Sequence, residues 1–308
     1  MIASLLLAPV TDRATDRAGI VVTPAIFLAA AFWPQAERLG YYILLPALFL
    51  HGLATARLDG VPVAAMILTL VCSTLAVAAG LVAARRFFPV NNAAFTSLFQ
   101  GGVRFNNYVG VSAAAGLFGA HGVALAAVAN AAIVPTVNIL CVLVFARYGN
   151  TGAPSLKNIV RLLALNPLVV ACAIGITLQI TGLGLPLGIE PVLKSLGQAS
   201  LPLGLLCVGA ALDFSAARSW LRPMVIASCA KFIAMPLVTI VACHLFNLSG
   251  PAAIAALLFQ ALPTASSSYI MARQLGGDAP LMAGIIALQT LVAGVALPLT
   301  VLGLAGLL

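Results

Sequence analysis

Between residues 39 and 306 the chain is a nearly unbroken succession of apolar runs, each close to the length that crosses a bilayer. A spanning helix needs ~20 predominantly apolar residues to cover ~30 Å of hydrocarbon. Such runs fall at 39–56, 61–84, 93–118, 121–146, 165–183, 195–213, 223–246, 252–274 and 281–306, with polar interruptions inside 93–118 and 252–274. Strict apolar–polar alternation is absent, which argues against a barrel. Lipid offers no hydrogen bonds to a free backbone, so these runs predict helices.

Charge supports the same reading. Charged residues make up 7% of the 308 residues, and hydrophobic ones 62%, against ~25% charged in a soluble domain. Too few polar groups exist to cover a surface in water. The net charge of +8 does not point to nucleic acid, because the basic residues stand singly or in pairs between apolar runs, as at Arg85–Arg86 and Arg218 with Arg222. That is the pattern of orientation signals in membrane loops. The cysteines (Cys72, Cys141, Cys172, Cys207, Cys229, Cys243) lie in apolar runs without CxxC spacing, and His51, His121 and His244 are scattered. They predict neither a metal site nor a disulfide frame. No cofactor is expected. Paired acids, a GxSxG serine and a ligand cluster are missing, so an enzyme is not expected either.

The N-terminus is irregular. A polar run, Thr11 to Arg17, separates apolar residues 2–10 from 18–33. The latter reach only ~24 Å as a helix and contain Pro24. A signal peptide fits poorly, because no basic region precedes the apolar run. With a short first helix here, the chain reads as all-α and polytopic, with about ten transmembrane helices.

A polar connection at 148–162, flanked and occupied by Arg147, Lys157 and Arg161, divides residues 1–147 from 163–308. Placed in the cytoplasm, it puts Arg38, Arg85, Arg86, Arg218, Arg222 and Arg273 on that side by alternation, with Arg57 and Lys194 outside. The bias orients both termini outward. The halves also resemble each other. Leu-Gly, a proline and Leu-Asp recur in 37–59 and 194–213, and Leu98-Phe99-Gln100 is matched by Leu258-Phe259-Gln260, each ahead of an interruption. Five helices per half make the repeats opposite in orientation, the build of many secondary carriers.

The interruptions are Gly101 to Tyr108 and Ala261 to Ser268. Glycine pairs and proline weaken helix interiors. The peptide groups they free must face protein, water or ligand. If the halves fold alike, the breaks meet near the midplane, with half-helix N-termini turned toward the crossing. Arg104 adds a charge that is costly at depth. The seven acids (Asp12, Asp16, Glu37, Asp59, Glu190, Asp213, Asp278) all fall at span ends or in loops. The combination favours an anion, and a carboxylate suits a guanidinium.

The candidate substrate-binding residues are Arg104, Asn106, Asn107, Asn166, Pro263, Thr264, Ser266 and Ser267. Plainer roles stand beside each. Arg104 can snorkel or bond backbone carbonyls, and the asparagines can satisfy broken backbone. The serines can join helices. Pro263 shapes the break, and Asn166 caps the sixth span. Lys231 snorkels, balances a helix end or tunes the site. Asn130, Asn138 and Gln289 read as packing within the bundle, and His51 as a packed histidine.

These segments resemble the auxin efflux carrier family, which comprises PIN-type plant carriers and bacterial malonate-type transporters. The likeness rests on Phe99-Gln100-Gly101, Arg104-Phe105-Asn106-Asn107-Tyr108-Val109-Gly110 and Ala261-Leu262-Pro263-Thr264-Ala265. It extends to Ala272 through Asp278, Met282 through Ile285, Glu37-Arg38-Leu39, Tyr42 and Leu45 through Leu48, covering roughly 32–300. The resemblance implies ten helices in a scaffold unit and a transport unit. It also implies a substrate site where the broken fourth and ninth helices cross, elevator-like alternating access, and dimers paired through the scaffold. Asn106, Asn166 and Pro263 take the places of the family's fourth-helix asparagine, sixth-helix Asn-Pro and ninth-helix proline.

Two departures stand out. PIN-type carriers place an acid and a lysine in the third helix, linked to proton coupling, whereas span 61–84 has no charged residue. Residues 11–31 match poorly. The expectation is a secondary active transporter of a small organic anion, surrounded by lipid in a bacterial inner membrane, its coupling ion open. The alternatives are a sodium-coupled bile-acid-type symporter and a non-transporting membrane sensor.

Overall fold

The computed structural model describes residues 32–55, 62–149, 165, 167–186, 188–210, 221–265 and 267–304. Among these every regular element is helical. The helices are α1 (Phe32–Leu39), α2 (Leu45–Thr55), α3 (Val63–Ala83), α4 (Asn92–Val103), α5 (Asn107–Tyr148), α6 (Pro167–Thr181), α7 (Ile189–Ala210), α8 (Leu221–Cys229), α9 (Met235–Leu245), α10 (Gly250–Gln260), α11 (Ser267–Leu275) and α12 (Ala279–Leu304). Among the described residues, four helical stretches are long and apolar enough to cross a membrane: Val63–Phe87, Asn92–Tyr148, Leu221–Leu245 and Ala279–Val301. On α12, Leu291, Val295 and Leu299 recur every four residues and are 59–66% exposed. A bare apolar stripe of that kind is stable against lipid tails.

The apolar runs locate the helices well, and the ends differ where polarity misleads. The helix expected from 39 begins at Phe32, because Gln35, Glu37 and Arg38 lower its hydropathy without breaking it. The helix expected from 195 begins at Ile189 and takes in Glu190 and Lys194. Nearly all of the expected 18–33 helix, and the connection 150–162, lie outside the described residues.

Two prolines are absorbed in the same way. α1 runs into α2 through a π-helical turn, Gly40–Leu44, two residues before Pro46. α8 runs into α9 through another, Ala230–Ala234, two residues before Pro236. In each turn the residue just before the proline bonds back five residues, Leu45 N–H to the Gly40 carbonyl and Met235 N–H to that of Ala230. A proline in a helix lacks one donor and crowds the preceding turn. The wider π turn makes room without ending the helix.

α5 is too long for one crossing: 42 residues would reach ~63 Å. It folds back at Gly119, whose φ is 59° and ψ −137°, a region open almost only to glycine. Gly122 then lies against the backbone of Ala114, where a side chain would not fit.

The helices form two bundles. α1, α2, α6 and α7 pack together, as do α3, α4 and α8 to α12, while α5 packs on both. The core of the second bundle is built of small and aromatic residues, including Phe95, Phe99, Phe259, Ala227 and Ala256. One end of this bundle is pinned by Asp278: its N–H donates to the Ala93 carbonyl at 3.2 Å, its own carbonyl accepts from Ser97 Oγ at 2.8 Å, and its Oδ1 caps α12 through Leu281 N–H at 2.9 Å.

Candidate functional site

Two helices stop short inside the second bundle. α4 ends at Val103 and α5 starts at Asn107, leaving 104–106 non-helical. α10 ends at Gln260 and α11 starts at Ser267. Both breaks are narrower than expected. Gly101 and Gly102 remain helical, as do Asn107, Tyr108, Ser267 and Ser268. The glycine pair serves packing instead: a Cβ on Gly101 would lie 2.7 Å from Ile285 Cγ2 and 3.1 Å from Ala227 Cβ, and one on Gly102 2.7 Å from Leu81 Cδ1. Small residues let helix backbones approach in this way.

The breaks meet. Arg104 leaves the end of α4, ~18 Å along the helix from Asn92, and reaches across to α11. Its Nη2 donates to Ser267 Oγ at 3.3 Å, and its Nη1 to Asn138 Oδ1 at 3.0 Å and Met271 Sδ at 3.4 Å. Arg104 thus joins the first break to α11 and to the far part of α5, and its partners among the described residues are side chains, not backbone carbonyls. Every polar contact of the guanidinium among the described residues is to a neutral group. No helix of the second bundle carries Asp or Glu, and neither does α5.

Gln289 of α12 stitches the two breaks. Its Nε2 donates to the Gly101 carbonyl at 2.9 Å, and its Oε1 accepts from Thr264 N–H at 2.9 Å. The Gly101 carbonyl is an orphan of a helix end, and the Thr264 amide belongs to the non-helical second break. Thr264 Oγ1 also pairs with Ser268 Oγ at 3.2 Å. The rings of Phe105 and Phe259 meet edge to face, 6.0 Å apart. Further out, Gln260 anchors α10 to α3 by donating to the Leu70 carbonyl, Ser73 Oγ and Thr74 Oγ1 at 2.8–3.0 Å.

The other candidates divide. Asn106, 2% exposed, caps α5: its Oδ1 accepts from Tyr108 N–H at 3.0 Å and Val109 N–H at 3.3 Å. Asn107 follows it with a buried Oδ1 that has no hydrogen-bond partner among the described residues. Pro263 is buried in the second break. Asn166 and Ser266 lie outside the described residues. Asn138 and Gln289, expected to pack within the bundle, and Met271, which the sequence did not single out, stand beside the crossing. The available signal was the amide itself, an Asn or a Gln inside an apolar run.

Tyr108, in the first turn of α5, ties the crossing to the first bundle. Its ring fills the space that side chains at Gly40 and Gly204 would need, and its hydroxyl is buried without a partner among the described residues. A cavity of about 500 Å³ lies elsewhere, among α2, the Gly119 bend and α7, lined by His51, Thr55, His121, Lys194 and Gln198. His51 Nε2 stands 3.7 Å from Glu190 Oε1 there.

No curated protein matches the chain. A family model described as membrane transport protein matches residues 37–301, a span that contains both breaks, Arg104, Gln289 and the glycines that admit Tyr108. The chain belongs to that family of membrane transporters, the auxin efflux carriers.

Proposed function

We propose that this protein is a secondary active carrier that moves a small organic anion, a carboxylate, by elevator-type alternating access. The crossing of the two breaks is its substrate site. Arg104, Asn106, Asn107, Thr264 and Ser267 contact or frame the anion, and Pro263 shapes the break. Ser266 adjoins it as the neighbour of Ser267 in the sequence, and Asn166 joins it by the likeness of its Asn-Pro pair to the family's sixth-helix opening. The first bundle acts as scaffold and the second as the moving unit. Residues 1–147 and 163–308 are inverted repeats joined by a cytoplasmic connection. The scaffold helices pair two copies in the bacterial cytoplasmic membrane.

One observation carries this reading: Arg104 places a full positive charge at the crossing with only neutral partners among the described residues, in a bundle whose described helices hold no acid. An uncompensated cation at depth is costly unless something pairs with it. The N-termini of α5 and α11 begin at the same crossing and carry partial positive charge. A carboxylate satisfies both. Orientation is supported by Arg85, whose guanidinium bonds Asn92 Oδ1 at 3.1 Å and stacks over Phe95. Phe95 in turn meets Tyr148, next to Arg147, so basic residues gather at one end.

The test is uptake of labelled carboxylates into proteoliposomes by the intact protein, Arg104→Ala and Asn106→Ala. Saturable uptake that falls at least about tenfold in Arg104→Ala is expected. Uptake unchanged in both variants removes these residues from the site.

A further inference from the structure

The half-buried Arg104 is not the only basic side chain inside the second bundle. Lys231 is 0% exposed, and its Nζ has no hydrogen-bond partner among the described residues. It sits ten residues into the helical stretch Leu221–Leu245, ~15 Å from the end, so the sequence expectation of snorkelling is not met. Its place is set by the π turn that Pro236 demands. That turn packs on α4, where Ala230 Cβ would meet a Gly102 Cβ at 3.4 Å. The same α4 carries Gln100, 0% exposed, with both amide atoms unpartnered among the described residues.

The neighbours offer no counter-charge. α4, α8 and α9 border the turn, and α3, α5, α10, α11 and α12 pack on those helices. Among the described residues, none of these helices carries Asp or Glu. Removing an unpaired buried charge in favour of an apolar chain of similar volume commonly stabilises a protein. A chain that keeps such a charge gives up stability for some other gain.

We propose that Lys231 is an electrostatic positioning residue of the crossing. Its amine is held behind the first break by the π turn, without a partner among the described residues, and its ammonium form is balanced by the charge of the bound anion. It acts through α4 and the unpaired amide of Gln100, not by touching substrate. The assignment rests on the crossing being the anion site. It adds a second basic group that sets affinity.

The experiment compares wild type, Lys231→Met, Lys231→Arg and Arg104→Gln in thermal melts with and without acetate, malonate and succinate, and in uptake of the same anions. Lys231→Met is expected to melt above wild type without anion and to lose at least half of the stabilisation that the best of these anions confers. Its KM should rise about fivefold or more with a smaller change in kcat, and Lys231→Arg should recover most of the KM. A purely structural lysine would lower the melting temperature on replacement and leave KM alone. Lys231→Met melting at or below wild type, or keeping the full anion increment and KM, overturns the assignment. If Arg104→Gln alone loses the increment, the crossing stands as the site and Lys231 is excluded. If no anion stabilises the wild type, the anion site and this inference fall together.

Discussion

The Gly101 carbonyl and the Thr264 amide, one from each broken helix, are held by the same side chain: Gln289 donates to the first and accepts from the second, both at 2.9 Å. Neither peptide group has a place in a helix ladder, and both are far from water. Gln289→Leu keeps the volume and removes both bonds. Each orphaned group costs about 1–3 kcal/mol, so the variant should melt well below wild type and lose uptake. Wild-type stability in Gln289→Leu would show that the two bonds contribute little.

Asn106 separates capping from recognition. Serine and aspartate can both replace its Oδ1 as the N-cap of α5, whereas alanine costs about 1 kcal/mol. Asn106→Ser and Asn106→Asp should therefore fold as well as wild type. The aspartate places a negative charge beside the anion and should abolish uptake, and the serine should retain part of it. Full uptake by Asn106→Asp would mean that this residue only caps.

The glycine pair before the first break predicts an order of effects. A methyl on Gly101 meets Ile285 Cγ2 and Ala227 Cβ, both fixed by short or β-branched side chains. One on Gly102 meets Leu81 Cδ1, the end of a flexible chain. Overpacking costs about 1–3 kcal/mol where neighbours cannot yield. Gly101→Ala should thus lower thermal stability more than Gly102→Ala, and the reverse order would contradict the packing described.

Tyr108 should prove to act by shape. Its hydroxyl is buried without a partner among the described residues, so Tyr108→Phe should be neutral or slightly stabilising. Tyr108→Ala empties the space between Gly40 and Gly204 and should cost about 3–5 kcal/mol, the range for truncating a large buried ring. Melting curves of the two variants settle the point.

Most helices were legible in the sequence because lipid enforces long apolar runs, and the breaks because mid-span Asn, Ser and Pro have no place in hydrocarbon. Break widths were misjudged. Glycine next to a break reads as a helix breaker, whereas Gly101 and Gly102 are glycine because Ile285 and Leu81 lie against them, a tertiary fact with no local mark. Gln289 and Asn138 read as packing for the same reason, since a lone amide in an apolar run does not name its partner. Of the roles open to Lys231 in the sequence, snorkelling to an interface does not fit its full burial in the π turn ahead of Pro236.

The most direct measurement of the central claim is labelling of Ser267→Cys, in a background without the native cysteines, by a membrane-impermeant thiol reagent applied from each side of the membrane. The residue beside Arg104 should react from both sides, and reaction should slow in the presence of the carboxylate that is taken up. Labelling confined to one side, or indifferent to that carboxylate, would contradict a crossing that carries the anion through.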